Sequence, residues 1–174
     1  LQLANLVGVN GLVYASDLSP DRVSFGQKDE KRHRKKNIKW SLKDAQKDAY
    51  VIADKILLDA PCSGTGVIGR RSDIRWRRRE SDLKKFANVQ LSIINNCSKY
   101  LKKGGALVYA TCSIEPEENM MVVDKFLNLN SNFVVDKIPN NVPRQWVKDN
   151  KTLNVFPHQH GLDGIFEIRM KKIF

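Results

Sequence analysis

Residues 55–66 read Lys-Ile-Leu-Leu-Asp-Ala-Pro-Cys-Ser-Gly-Thr-Gly, and the fold turns on them. Ile56, Leu57 and Leu58 form an apolar run of strand length that ends in a carboxylate, Asp59. Pro61, Ser63, Gly64 and Gly66 are turn formers, so the strand breaks off into a loop that carries Cys62. A buried strand that delivers an acid and a thiol to its carboxyl end belongs in an open α/β sheet, where ligands bind outside those ends. Fifty residues on (112 − 62), the pattern returns: residues 106–110 are a second apolar strand, followed by Thr111, Cys112 and Ser113. Free cysteine is commonly a small buried apolar residue. Here each thiol sits in a turn among hydroxyl neighbours, a placement that favours chemistry.

At 174 residues the chain is long enough for one domain with its own core, and residues 1–174 read as a single unit. Apolar residues at 41% and charged residues at 28% are ordinary for a globular protein. The apolar runs fall short of the roughly 20 residues that cross a bilayer, so no membrane partner is expected. Three cysteines without CxxC spacing argue against a disulfide framework or a zinc site and fit a reducing compartment. His158 and His160 have no third ligand nearby, so no metal site is expected.

A net charge of +11 favours a polyanionic partner such as nucleic acid. The charge is clustered. Lys28, Lys31, Arg32, Arg34, Lys35, Lys36 and Lys39 make one basic stretch, whose plain reading is a solvated helix face. Arg70, Arg71, Arg75, Arg77, Arg78 and Arg79 make another, which interleaves Ile74 and Trp76 and begins four residues after Gly66. Arginine binds phosphate bidentately and stacks on bases, so this second cluster reads as a grip on nucleic acid.

In chain order, residues 1–7 suit the end of a helix, with Gly8 and Gly11 as stop signals. With no initiating Met and no strand ahead of that helix, the chain reads as a fragment. Residues 12–17 form a short strand ending in Asp17, and Ser19-Pro20 opens a helix with Pro at its first position. Residues 37–42 alternate as an edge strand, with Asp44 just beyond. Three strands thus end near Asp17, Asp44 and Asp59, and an acid at such a position accepts hydrogen bonds from ribose hydroxyls.

From Ser81 to Leu101 the apolar period is that of an amphipathic helix with Cys97 on its core face, closed by Lys102, Lys103, Gly104 and Gly105. Glu115, Glu117 and Glu118 fall in the first turn of another helix that runs to about Leu129. Residues 133–135 read as a strand, 139–152 as a loop or insertion, and 165–170 as a final strand.

The segments D-A-P-C-S-G-T-G-V-I, D-I-R-W-R-R-R, G-G-A-L-V-Y-A-T-C-S-I-E-P-E-E-N and P-H-Q-H-G-L-D-G-I-F together resemble the Nop2/Sun family of RNA cytosine-5 methyltransferases. Within that family they look most like the bacterial Sun (Fmu) branch, which acts on small-subunit ribosomal RNA. The resemblance implies a Rossmann-like α/β class I methyltransferase fold: a mixed, mostly parallel sheet flanked by helices, with an antiparallel final strand. It implies S-adenosyl-L-methionine as cofactor, held by Asp17 at the ribose with Arg22 in support, by Asp44 near the adenine, and by Asp59 near the methionine end and the target base. Cys112 matches the nucleophile and Cys62 the cysteine that helps release product, with Asp59 beside them. Arg70, Arg71, Arg75, Arg77 and Arg78 would contact RNA, with Trp76 available for packing. The substrate is expected to be ribosomal RNA, with transfer RNA as the alternative, and the protein a monomer in the cytoplasm, with the nucleolus as the alternative. Lys43 stands where the family usually has Gly. The family's glycine-rich cofactor loop and first strand, and the N-terminal RNA-binding domain of bacterial Sun proteins, have no match here, so the chain alone is expected to show weak or no activity.

Two rivals explain less. An RNA-binding module without catalysis accounts for the arginines but leaves two strand-end cysteines without a purpose. A dinucleotide-dependent oxidoreductase accounts for the acids, but such an enzyme has no use for Cys112.

Overall fold

The computed structural model describes all 174 residues. They fall into two units, Leu1–Asp48 and Ala49–Phe174.

In the first unit, helix α1 (Gln2–Leu6) precedes strand β1 (Val13–Asp17), helix α2 (Pro20–Arg32) and strand β2 (Ile38–Leu42). β1 and β2 pair in parallel, from Val13 opposite Ile38 to Asp17 opposite Leu42. Pro20 opens α2 as expected, because its fixed φ suits the first helical position. Gly26 sits where a Cβ would lie 2.2 Å from the Trp40 ring, so helix and strand pack through a bare backbone. Asn37 Nδ2 donates to the Ala4, Gly8 and Gly11 carbonyls at 2.8, 3.1 and 3.3 Å, which ties the end of α1 to the start of β2.

In the second unit, β3 (Ala53–Asp59) and β4 (Leu101–Thr111) pair in parallel, joined through helices α3 (Ile74–Arg77) and α4 (Glu80–Ser98). Helix α5 (Met120–Leu129) and strands β5 (Phe133–Val135), β6 (Val147–Lys148) and β7 (Thr152–Val155) follow, then the short helix α6 (Pro157–His160) and β8 (Ile165–Lys172). The sheet order is β3-β4-β8-β7-β6, with β5 also on β8, and β8 runs antiparallel to all its neighbours. The antiparallel final strand is therefore as expected. Ile94, Leu107, Tyr109, Val123, Phe126 and Met170 are fully buried between this sheet and helices α4 and α5. Each such aliphatic or aromatic side chain contributes about 1.5–3 kcal/mol by leaving water. Cys97 is buried on α4, the packing role its position predicts.

Three expectations need correction. Helix α4 ends at Ser98, and residues 102–105 are not its cap but part of β4. Gly104 adopts φ +77, and the register jumps from Ala53–Leu101 to Lys55–Ala106, so β4 spends five residues where β3 spends two. The glycines absorb a bulge rather than a helix stop. Second, Pro116–Glu118 is a separate 3-10 turn ahead of α5, and Glu118 points inward. Third, residues 139–152 are not all loop: Arg144–Trp146 forms a 3-10 turn, and β6 pairs with β7 from Val147 opposite Leu153.

Candidate functional site

Parallel pairing brings the two cysteines together. Asp59 lies opposite Ala110, and Ala60 N–H still donates to the Ala110 carbonyl at 3.0 Å, so the loops after β3 and β4 leave the same end side by side. Cys62 Sγ and Cys112 Sγ stand 2.9 Å apart, both free and partly buried. The loops are sewn further by Gly66 N–H to the Cys112 carbonyl at 3.0 Å and Gly164 N–H to the Gly66 carbonyl at 2.7 Å. A Cβ on Gly66 would lie 2.6 Å from the Gly164 oxygen and 2.8 Å from the Cys112 oxygen. Gly66, met in the sequence as a turn residue, and Gly164 are sites of close backbone approach.

The contact polarises the pair. The hydrogen bond from Cys62 holds the Cys112 thiol down at about 7, against burial and the nearby Asp59 and Glu118 carboxylates, which push it up. The same bond, burial and the Cys112 charge push Cys62 far up. Burial raises the Cys97 thiol to about 11. Cys112 is thus partly ionised near neutral pH.

Sequence reasoning missed Glu118. This side chain is fully buried and joins both cysteine loops. Its Oε1 accepts from Ser63 N–H at 2.8 Å and Gln90 Nε2 at 3.0 Å, and its Oε2 from Ser63 Oγ at 2.5 Å and Ser113 Oγ at 2.7 Å. Gln90 also donates to the Pro61 carbonyl at 2.9 Å, while its own Oε1 has no partner. Tyr109 Oη donates to the Glu118 carbonyl at 2.6 Å, and the Asn119 side chain bridges Thr111 and the Ser113 carbonyl at 2.6 and 2.9 Å. Ser63, Ser113 and Thr111, hydroxyl residues beside the cysteines, were the available signal: buried hydroxyls need a buried acceptor.

Asp59 is exposed at the carboxyl end of β3. Glu167, unremarked in the sequence, lies on β8 opposite Ala110, in the same cross-strand row as Asp59. Burial and Asp59 raise its carboxyl above the usual range. Arg70, Arg71, Arg75, Arg77 and Arg78 are all exposed, and so is Trp76, at 88%. Arg78 alone reaches the cysteine loop: its Nε donates to the Ser63 carbonyl at 3.0 Å and its guanidinium lies 4.8 Å from the Phe86 ring centre. Arg77 pairs with Asp73 at 3.1 Å and Arg70 with Asp163.

In the first unit, Asp17 ends β1 and Asp44 follows β2, and Lys43 N–H donates to the Asp17 carbonyl at 3.1 Å, so both acids stand at the carboxyl end of the parallel pair. Asp17 Oδ1 accepts from Ser19 N–H at 2.8 Å, and Oδ2 meets exposed Arg22 at 3.4 Å. Asp44 closes an Asx turn onto Gln46 N–H at 3.0 Å, and that bond lowers its carboxyl below the usual range. A strand-end carboxylate with one oxygen fixed by backbone and the other facing a weak, exposed ion pair suits a ribose diol. The donor set therefore fits a nucleoside.

The model of the family described as 16S rRNA methyltransferase RsmB/F matches residues 2–171. The chain is 41% identical over 119 residues to ribosomal RNA small subunit methyltransferase B of Shewanella oneidensis, covering 68% of this chain and 27% of that protein. It is 34% identical over 179 residues to the probable ribosomal RNA small subunit methyltransferase B of Bacillus subtilis, covering 98% of this chain and 40% of that protein. Among solved structures, NSun6 from Pyrococcus horikoshii with SFG superposes with a TM-score of 0.85 at 30% identity, over 99% of this chain and 44% of that one.

Proposed function

The chain belongs to the 16S rRNA methyltransferase RsmB/F family, and from that premise we propose that it carries the catalytic chemistry of an S-adenosylmethionine-dependent RNA methyltransferase acting on carbon 5 of cytosine, with small-subunit ribosomal RNA as substrate. The observation that supports this reading most is the 2.9 Å contact between Cys62 and Cys112 at the carboxyl ends of two parallel strands.

Carbon 5 of cytosine is a poor nucleophile. The Cys112 thiolate adds to carbon 6, the ring's electron density moves to carbon 5, and one hard step becomes two easier ones. Bound S-adenosylmethionine would supply the methyl group as an electrophile, its sulfur keeping the electron pair of the broken S–CH3 bond and leaving as the thioether S-adenosylhomocysteine. Product release then passes the proton on carbon 5 to a base at the site, the C–H electron pair restores the double bond between carbons 5 and 6, and the pair of the broken carbon 6–sulfur bond returns to Cys112. Cys62, beside that sulfur, is the group that assists release, and Asp59 borders the base. Asp17, with Arg22 in support, would hold the cofactor's ribose and Asp44 would lie near its adenine. The exposed arginines and Trp76 would grip the RNA strand, whose target base must leave the stack to reach the thiols. The natural setting of this chemistry is the cytoplasm, where thiols stay reduced; no helix is long and apolar enough to cross a membrane.

The test is incubation of the intact protein with methyl-labelled S-adenosylmethionine and small-subunit ribosomal RNA, followed by nucleoside analysis. Label in 5-methylcytidine is the expected result. Label in any other nucleoside, or none, would overturn the assignment.

A further inference from the structure

We infer that Glu118 is a positioning residue whose carboxylate locks the Cys62 and Cys112 loops in the one register that keeps their sulfurs in contact. This deepens the reading of the two cysteines proposed above and rests on it.

A fully buried carboxylate is costly to hold in a core, and an apolar side chain of similar volume is often as stable or more so. What the carboxylate supplies is a span. Ser63 follows Cys62 and Ser113 follows Cys112, and the two oxygens of Glu118 take both hydroxyls, at 2.5 and 2.7 Å, plus the Ser63 N–H at 2.8 Å. No apolar residue can do this, and an amide has only one acceptor oxygen. The clamp is itself anchored, because Tyr109 Oη on β4 holds the Glu118 carbonyl at 2.6 Å.

A second, independent sign is Gln90. Its Nε2 serves Glu118 and the Pro61 carbonyl, at 3.0 and 2.9 Å, and its Oε1 is left buried without a partner. Flipping the amide would set an oxygen against two acceptors, so the orphan atom is inherent to the arrangement. Residues selected for stability alone rarely leave such a group, and departures of this kind gather at functional sites.

The decisive readout is the meeting of the sulfurs, which requires neither RNA nor cofactor. Diamide, a diazene oxidant, takes two electrons and two protons from the thiols; the Cys62–Cys112 disulfide forms and the diazene becomes a hydrazine. Glu118→Gln, in the intact protein and folded by circular dichroism, should form that disulfide roughly tenfold more slowly than the parent, read by peptide mass spectrometry. Its kcat should fall on the order of 10²-fold with KM for RNA unchanged, as for a small misplacement of reacting groups. A folded Glu118→Gln that oxidises at the parental rate overturns the inference. Should that variant fail to fold, Ser63→Ala and Ser113→Ala, each removing one strut, take its place: slower oxidation in both supports the clamp, and parental rates in both overturn it. Slow oxidation in variants of a parent that transfers no methyl group would sink the proposed function while leaving the clamp standing.

Discussion

Cys62 and Cys112 hold their sulfurs 2.9 Å apart, and the contact is asymmetric: the hydrogen bond from Cys62 lowers Cys112 to about 7 and raises Cys62 itself. One thiol therefore loses its proton more easily than the other. The assignment of Cys112 as nucleophile comes from family resemblance, and the reactivity of the two thiols tests it.

The first prediction follows from that asymmetry. Alkylation of Cys112 by iodoacetamide, followed by mass spectrometry, should rise with pH through about 7, because the thiolate is the reactive form. In Cys62→Ala the largest cause of the lowered pKa is gone, so the profile should move to higher pH. An unmoved profile would show that Cys62 does not set the acidity of Cys112.

Removing either cysteine should expose the division of labour. Cys112→Ala should lose both methylation and any protein–RNA adduct, since no bond to carbon 6 can form. Cys62→Ala should still add and transfer but stall at elimination, leaving RNA-linked protein as a slow band on a denaturing gel. The double variant should lose the band. An adduct trapped by Cys112→Ala instead would reverse the roles.

The arginines should divide into two kinds. Arg75→Ala with Arg77→Ala should weaken RNA binding and flatten its salt dependence by about one unit of slope per lost phosphate contact. Arg78→Ala should in addition slow catalysis at saturating RNA, because Arg78 also holds the Ser63 carbonyl at 3.0 Å. Binding isotherms at several salt concentrations, with kcat measured separately, make the check. If Arg78→Ala changes affinity alone, the Ser63 contact has no part in the chemistry.

Tyr109→Phe should destabilise the protein. The lost hydroxyl leaves the Glu118 carbonyl without the 2.6 Å bond it has in the core, a loss of about 1–3 kcal/mol. Denaturant titration should show a lower midpoint with an unchanged slope. Equal midpoints would mean the carbonyl finds another donor.

Much of this fold was legible because its signals are local. The apolar runs before Asp17 and Asp59, Pro20 at the head of a helix and the helical period that begins at Ser81 each express a backbone preference within a few residues. Two of the misreadings have one source, since they depend on partners distant in sequence. Gly104 and Gly105 look like a helix cap until β3 is known to lie alongside and force a bulge. Glu118 looks like an acid at a helix start until Ser63, 55 residues away, is known to need an acceptor. The cysteines were readable as a pair because the same motif occurs twice. The acid between them occurs once and left no repeat to notice.

Gly66 and Gly164 meet backbone to backbone: a Cβ on Gly164 would lie 2.7 Å from the Gly66 Cα, and one on Gly66 would lie 2.6 Å from the Gly164 oxygen. On each side the nearest obstacle is main chain, which no second substitution can shrink. A lineage that lost either glycine would have no compensating mutation to find at the other position. The two positions are therefore closed to drift, separately and together, and a library randomised at both and selected for folding should return glycine at each.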